Sequence, residues 1–338
     1  MKKKVLVLTG IRSEYDLVKP VLELLDNDKD INLSIVVSGT HLSKFHNYSY
    51  KLILNDGFKI TNKIKSFKNK FTDAERSHAV GILVSKLTKI VERKKPDFIV
   101  VVGDREEAIA ASIVGNYNKI LVIHIGGGDK AYGNADDPIR FASSKLAHIH
   151  CVFSKKNKNN LLKFGEENFR IFVTGNPSLS NIFNEKKVNL KKISKLLNLK
   201  LNKNKFIIFL QHPISSEVKS TEKYFLNSLK AVAEYANSKD MNIICLRPNV
   251  DPGSEKILKI IKNFKKSKKK IVFVNNLDRS IFINLMRNAY CVAGNSSMGL
   301  LETAFYKLRA INIGSRQKGR ENPGNVIYVD NNKKDIPN

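Results

Sequence analysis

Phe98-Ile99-Val100-Val101-Val102-Gly103-Asp104-Arg105-Glu106-Glu107 is the stretch from which the fold of this chain is read. Its apolar part is short, unbroken and β-branched, which predicts a strand buried on both faces of a parallel sheet. Gly103-Asp104-Arg105 follows at the carboxyl end, and Ala108 to Val114 reads as a helix. A second apolar run, Ile120 to Ile125, ends in Gly126-Gly127-Gly128-Asp129. Beyond Gly133, Asp136-Asp137-Pro138-Ile139-Arg140 opens another helix. In open α/β sheets ligands bind past the carboxyl ends of the strands. Two consecutive strands that end in glycine and carboxylate therefore mark a candidate site. A carboxylate there also suits a helix N-cap, and for Asp104 and Asp137 taken singly both readings stand. The grouping of acids with Arg105 and Arg140 favours the site.

Outward from this stretch, strands and helices alternate. Val5 to Leu8 is a strand, and Thr9-Gly10-Ile11-Arg12-Ser13-Glu14-Tyr15 leads into a helix carrying Val18, Val21, Leu22 and Leu25. Leu33 to Val37 is the next strand, ending in Ser38-Gly39-Thr40-His41. A lysine-rich connection follows, then a helix over Ala79 to Val91 stopped by Lys95-Pro96-Asp97. Ile149 to Phe153 and Ile171 to Val173 are short strands, and Gly175-Asn176-Pro177 turns the chain. The basic stretch to Asn204 reads as an inter-domain crossing. This alternation is the signature of doubly wound parallel sheets, and it divides the chain into domains 1–180 and 181–338.

The second half repeats the pattern from Phe206 to Leu210. Its strand ends are Gln211-His212-Pro213, Arg247-Pro248-Asn249 and Gly294-Asn295-Ser296-Ser297, the last expected to run into a helix over Leu300 to Tyr306. Free amides at a helix start suit a phosphate, although a capped turn explains Ser296-Ser297-Met298-Gly299 equally well. Arg316, Lys318 and Arg320 sit in a glycine-bounded loop; they are either solvated or placed to neutralise a diphosphate. Two such domains facing each other across a cleft are the architecture of nucleotide-sugar enzymes.

The 338 residues, 42% hydrophobic, suffice for two cores, and the net charge of +28 raises the question of nucleic acid. The lysines are scattered among Asn and Ile without aromatic interleaving, so the charge reads as solvated surface able to attract an anionic small molecule. No nucleic acid and no membrane are expected as partners. The apolar run after Met1-Lys2-Lys3-Lys4 is interrupted at Thr9-Gly10-Ile11-Arg12 and reads as a strand rather than a signal peptide. Cys151, Cys245 and Cys291 lie in apolar runs without pairing or metal spacing, as core thiols of a reducing, cytoplasmic compartment do.

Taken together, Thr9 to Tyr15, Gly39 to Ser43, Gly103 to Arg105, His124 to Asp129, Asp136 to Arg140, Arg247 to Ser254, Gly294 to Ser297 and Arg316 to Arg320 resemble the hydrolysing UDP-N-acetylglucosamine 2-epimerases of sialic- and legionaminic-acid-type sugar synthesis. The resemblance extends over nearly the whole chain. It implies a GT-B-like pair of Rossmann-like domains and release of UDP with a manno-configured 2-acetamido sugar. It also implies that Asp104, Asp136, Asp137 and Arg140 are acid/base and supporting residues of the first domain. His212 would lie near the diphosphate and sugar, unless it is a structural strand-end histidine. Arg12, Arg105, Arg247, Asn249, Ser296, Ser297 and Glu302 would contact the nucleotide sugar, Glu302 at the ribose hydroxyls, and His41 would at most line the cleft.

The chemistry accounts for these residue types. A base removes the proton at sugar carbon 2, and cations accept the charge of the departing diphosphate. The glycal then takes water at carbon 1 and a proton at carbon 2 on the opposite face, which needs a second acid. No metal or other cofactor is required. A homo-oligomer is expected.

The chain departs from the family pattern at three points. Gly126 stands where the family has Glu or His, Phe141 stands where a histidine follows the arginine, and the chain stops at Asn338, before the family's C-terminal helix. The first two suggest a different sugar, such as a 2,4-diacetamido-trideoxy one, or weakened chemistry; the third suggests a truncated sequence. With no side chain at Gly126, Asp129 is the carboxylate that the glycine loop can redirect into the site. The other readings are a non-hydrolysing 2-epimerase, which usually carries Arg-Pro-Glu where this chain has Arg12-Ser13-Glu14, a GT-B glycosyltransferase, and a basic nucleic-acid-binding protein.

Overall fold

Alternate residues of the run Phe98–Val102 feed two different cores. Ile99 and Val101 pack with Leu83, Leu87, Ala111 and Val114, whereas Val100 and Val102 pack with Tyr15, Val18 and Ile53. Each of these strand side chains is at most 5% exposed, and burying a Val or Ile stabilises the fold by about 1.5–3 kcal/mol. A strand covered on both faces must be apolar throughout, which is why the run shows no alternation.

The computed structural model describes residues 2–44, 48–67, 72–131, 136–248, 251–264, 270–275 and 277–331. They divide into two compact units, the first Met1–Lys130 with Ala135–Asn181, the second chiefly Ile182–Asn338. In the first, the order is β1 (Lys3–Thr9), α1 (Arg12–Asn27), β2 (Ile31–Val37), α2 (Tyr50–Asn55), β3 (Ile60–Lys63), α3 (Asp73–Lys94) and β4 (Phe98–Val102). It continues with α4 (Glu106–Tyr117), β5 (Leu121–Ile125), α5 (Asp136–Leu146), β6 (Ile149–Val152), α6 (Lys155–Lys163), β7 (Ile171–Val173) and α7 (Ser178–Asn184). The sheet is parallel throughout, in the order β3-β2-β1-β4-β5-β6-β7.

The second unit contains α8 (Leu190–Leu197), β8 (Phe206–Leu210), α9 (Thr221–Ser238), β9 (Asn242–Leu246), α10 (Ser254–Phe264) and β10 (Ile271–Val274). It ends with α11 (Arg279–Met286), β11 (Cys291–Gly294), α12 (Met298–Leu301), β12 (Arg309–Ile313) and β13 (Val326–Val329). Its parallel sheet runs β10-β9-β8-β11-β12-β13. Phe206 and Ile208 of β8 face α8 and α11, and Ile207 and Phe209 face α9 and α10. Both units are thus Rossmann-like, with strand order reversing between β1 and β4 in one and between β8 and β11 in the other. Ligand sites of open α/β sheets lie at such reversals.

Two expectations are corrected. The lysine-rich stretch before Asn204 is not a bare crossing: it forms α8, and Ile193 and Leu201 are buried in the second core. The helix expected over Leu300 to Tyr306 is instead the short α12, followed by a 3-10 turn over Thr303–Tyr306. Glu302 leaves helical geometry (φ −120°), and the Thr303 hydroxyl donates to the Gly299 carbonyl at 2.6 Å. Such back-bonding competes with the helical ladder. Among the described residues, no helix is long and apolar enough to cross a membrane.

Candidate functional site

In the first unit the segment after β4 meets the loop after β1, through Glu107 and Gly10, and the end of β5, through Gly103 and His124. Gly103 adopts φ +71° and its carbonyl faces His124 Nε2 at 2.8 Å. His124 Nδ1 lies 3.0 Å from the Ser144 hydroxyl, and burial pulls the imidazole down to about 4. A neutral ring that donates to Gly103 and accepts from Ser144 fits both contacts. His124 therefore anchors the turn that presents Asp104.

Asp104 is ion-paired with Arg140 Nη2, while Arg140 Nη1 donates to the Gly126 carbonyl at 2.8 Å. Arg140 is buried. Desolvation opposes its charge, but Asp104, Asp129, Asp137 and Asp136 together outweigh that and raise its pKa. The four carboxylates read from the sequence thus converge electrostatically on the arginine read with them.

A second arginine, which no sequence motif marks, completes this group. Arg76 of α3 pairs with Glu106 through Nε and with Asp136 through Nη2 at 2.9 Å. Burial raises the Glu106 pKa, but Arg105 and Arg76 lower it more, so Glu106 stays below the ordinary range. Arg105 precedes α4 with Nε 3.6 Å from Glu106, and Arg12 opens α1 with Nε 3.5 Å from Asp16.

Two further buried acids lie outside the candidates read from the sequence. The Gly10 amide donates to Glu14 at 3.0 Å, and the Ser38 hydroxyl donates to Glu107 at 2.6 Å. Burial and the neighbouring Glu107 charge raise the pKa of Glu14, and burial with the Glu106 charge raises that of Glu107. Gly10 is required here, because a Cβ would lie 2.0 Å from the Glu107 carboxyl carbon.

Other expectations change. His41 does not line an open surface: it is fully buried, between the Thr9 hydroxyl at 3.1 Å and the Ser49 hydroxyl at 2.9 Å, and burial lowers its pKa to about 3. The glycine loop is not free to redirect Asp129. Asn157 and Asn160 both donate to the Gly128 carbonyl, and a Cβ at Gly128 would meet the Asn157 carbonyl at 2.3 Å. Asp129 is nonetheless buried beside this loop. At Gly126 (φ +81°) the space for a side chain is filled by the Phe153 ring, 2.8 Å from where a Cβ would stand. Phe141 packs edge-on against Phe164 with Val152, Leu161 and Ile171, in a satellite core.

In the second unit the loops after β8 and β11 are joined through Asn295. Its carboxamide oxygen accepts from the His212 amide at 2.6 Å, and its Nδ2 donates to the His212 carbonyl at 2.8 Å. Its own carbonyl accepts from Arg316 Nη1 at 3.1 Å and from Gln317 Nε2 at 2.8 Å. Arg316 is thereby a largely buried element of the loop and lies 3.9 Å from Asp251. Lys318 is exposed, and Arg320 donates to Gln317. Ser296 and Ser297 are half-buried beyond Asn295. Arg247 follows β9 half-buried, and Glu302 lies 3.8 Å from Arg279. A small cavity is lined by Gln211, His212, Glu217, Thr221, Tyr224 and Asn295. Asn249 and Gly133 lie outside the described residues.

This arrangement can be set beside known proteins. A Legionella pneumophila protein named UDP-N,N'-diacetylbacillosamine 2-epimerase (hydrolyzing) is 33% identical over 98% of this chain and 86% of its own. The Campylobacter jejuni GDP/UDP-N,N'-diacetylbacillosamine 2-epimerase (hydrolyzing) is also 33% identical, over 96% and 84%. The crystal structure of UDP-GlcNAc 2-epimerase from Neisseria meningitidis, bound to UDP-GlcNAc, superposes with a TM-score of 0.84 at 20% identity, covering 98% of this chain and 89% of that one. The fold is therefore that of the GT-B-like 2-epimerases. The family model described as UDP-N-acetylglucosamine 2-epimerase matches residues 23–338, and the chain belongs to that family.

Proposed function

We propose that the chain is a hydrolysing nucleotide-sugar 2-epimerase, converting a UDP-linked 2-acetamido sugar to UDP and the free manno-configured sugar through a glycal. UDP-2,4-diacetamido-trideoxyhexose is the favoured substrate and UDP-N-acetylglucosamine the alternative. The observation that carries this reading is the 33% identity, over almost the entire chain, to two relatives named hydrolysing diacetylbacillosamine 2-epimerases. Arg12-Ser13-Glu14, in place of Arg-Pro-Glu, agrees with it.

The first unit supplies the sugar chemistry. A carboxylate paired with an arginine is kept ionised, which suits Asp136 to accept the proton at carbon 2. As that C–H bond breaks, the carbon 1–oxygen bond to the diphosphate breaks and its electrons leave with UDP. The glycal double bond then takes hydroxide from water at carbon 1 and a proton at carbon 2 from the opposite face. Asp137, Asp129 and Asp104, the last ion-paired with Arg140, are the candidate acids for this return. The second unit holds the nucleotide: Ser296, Ser297, Arg247, Asn249 and Lys318 toward the phosphates, Glu302 toward the ribose. His212, presented by Asn295, supports the leaving diphosphate. Arg12 and Arg105 are the first unit's cations for the nucleotide sugar.

The test is incubation with UDP-N,N'-diacetylbacillosamine, UDP-N-acetylglucosamine and their GDP counterparts, followed by NMR. Free UDP with a reducing sugar is the expected product. An intact UDP-manno-sugar would instead establish the non-hydrolysing reading. Consumption of donor only with an added acceptor would establish a glycosyltransferase.

A further inference from the structure

We propose that Arg76 is a positioning residue for the reaction, its guanidinium holding the Asp136 carboxylate in orientation and in its ionised form. The inference rests on the reading of Asp136 as the proton acceptor given above. It is carried by the way one guanidinium spans two acids from different elements. Arg76 lies in the opening turns of α3, whose start is fixed by the Thr72 hydroxyl accepting from the Glu75 amide at 3.2 Å. Nε is taken by Glu106 at the start of α4, and Nη2 reaches Asp136 at the start of α5. A planar guanidinium fixed at one nitrogen has its other nitrogens fixed as well. Glu106 therefore aims Arg76, and Arg76 aims Asp136.

The surroundings make the pairing consequential. Glu106 is 4% exposed and Asp136 7% exposed, so the charges are poorly screened. The charges acting on Arg76 are Glu106 and Asp136, with Arg105 opposing them, while Asp136 shares the neighbouring Arg140 with Asp104, Asp129 and Asp137. Arg140 must serve Asp104 and the Gly126 carbonyl with its terminal nitrogens. Arg76, by contrast, donates a hydrogen bond directly to Asp136.

The experiment compares wild type with Arg76→Gln, Arg76→Lys and Asp136→Asn, following nucleotide release against pH. Arg76→Gln is expected to lower kcat about ten- to a hundredfold with KM within about threefold. The acidic limb of its kcat profile should move up by about one pH unit, the low end of what an adjacent opposite charge does to a carboxylate. Arg76→Lys should restore the position of the limb but only part of kcat, because lysine keeps the charge and loses the fork. In an Asp136→Asn background, Arg76→Gln should add less than about twofold, since coupled residues are not additive. An unmoved limb, or a full additional loss in that background, overturns the proposal. Titration of carbon-13-labelled aspartate, with Asp136 assigned through Asp136→Asn, needs no turnover. A rise of about one unit in folded Arg76→Gln supports the proposal and no rise overturns it. Wild-type protein that releases no nucleotide while the Asp136 resonance still shifts would refute the functional reading and leave the Arg76 pairing established.

Discussion

Asn295 and His212 clasp one another across adjacent strand ends. The Asn295 carboxamide accepts from the His212 amide at 2.6 Å and donates to the His212 carbonyl at 2.8 Å. An asparagine side chain reproduces here the pairing that β8 and β11 make through their backbones. It does so at the reversal of strand order, just past the end of the ladder. Gly294 lets the two loops come this close, since a Cβ there would stand 1.9 Å from the Leu210 carbonyl oxygen. One fully buried residue thus sets the direction of His212 through its side chain and, through its backbone carbonyl, that of Arg316 and Gln317.

Asn295→Ala should therefore cost the protein about 2–4 kcal/mol of unfolding free energy. The two hydrogen bonds account for about 1–3 kcal/mol, and the cavity left by the truncated side chain adds about 1 kcal/mol. Urea unfolding monitored by circular dichroism measures it. A loss below about 1 kcal/mol would mean that water replaces the carboxamide without cost and that the clasp is incidental.

Glu107→Gln should stabilise the protein at pH 8. Burial and the Glu106 charge raise the Glu107 pKa, and Glu14 feels the Glu107 charge in turn. A carboxyl whose folded pKa lies above its unfolded value binds its proton more tightly when folded. Stability is then greatest below the unfolded pKa of about 4.5, and it declines as pH rises toward the folded value. Glutamine removes that decline and can still accept from Ser38. The variant's advantage in urea midpoint should be present at pH 8 and gone near pH 4.5; a variant less stable than wild type at pH 8 would contradict this account.

Gly10→Ala tests the packing that surrounds the same acid. The new methyl would sit 2.0 Å from the Glu107 carboxyl carbon and 2.0 Å from its Oε1. Overpacking of this kind costs typically about 1–3 kcal/mol. The loss should shrink when Glu107 is also changed to Ala, because the obstructing carboxyl is gone. Equal losses in both backgrounds, read from urea midpoints, would place the strain elsewhere.

What the sequence discloses follows from the range over which its signals act. The unbroken run of β4, and that of β8, can be read locally because both faces of each strand are buried. The glycine and carboxylate loops can be placed at a site because parallel sheets put their strand ends there. Arg76 cannot be found this way: it stands in an ordinary amphipathic helix, and its importance comes from Glu106 and Asp136, thirty and sixty residues away. Asn295 lies inside a motif conspicuous for its serines, while its own partner is 83 residues distant. His41 reads as a loop histidine, yet Thr9 and Ser49 enclose it. The break after α12 is hidden because helix propensity does not register a threonine that bonds back to Gly299.

Substitution of Asp129 tests how the chain manages without a side chain at Gly126. The Phe153 ring occupies the room that such a side chain would need, and Gly126 contributes its carbonyl to Arg140 instead. Asp129 is 4% exposed and is among the carboxylates that hold Arg140 charged. The preceding loop is pinned to α6 by Asn157 and Asn160, so its direction is set by packing rather than by glycine freedom. Asp129→Asn keeps the volume of the side chain and removes only its charge and basicity. Turnover is expected to fall at least about a hundredfold, the low end for loss of a general acid or base. UDP binding, proposed above for the second unit, should change no more than about threefold, within the roughly 0.6 kcal/mol that such a ratio represents. Single-turnover nucleotide release, with folding checked by near-ultraviolet circular dichroism, gives the result. If Asp129 only braces the loop, stability would drop while turnover per folded molecule stayed within a few-fold of wild type, and the acid/base role would have to pass to Asp104 or Asp137.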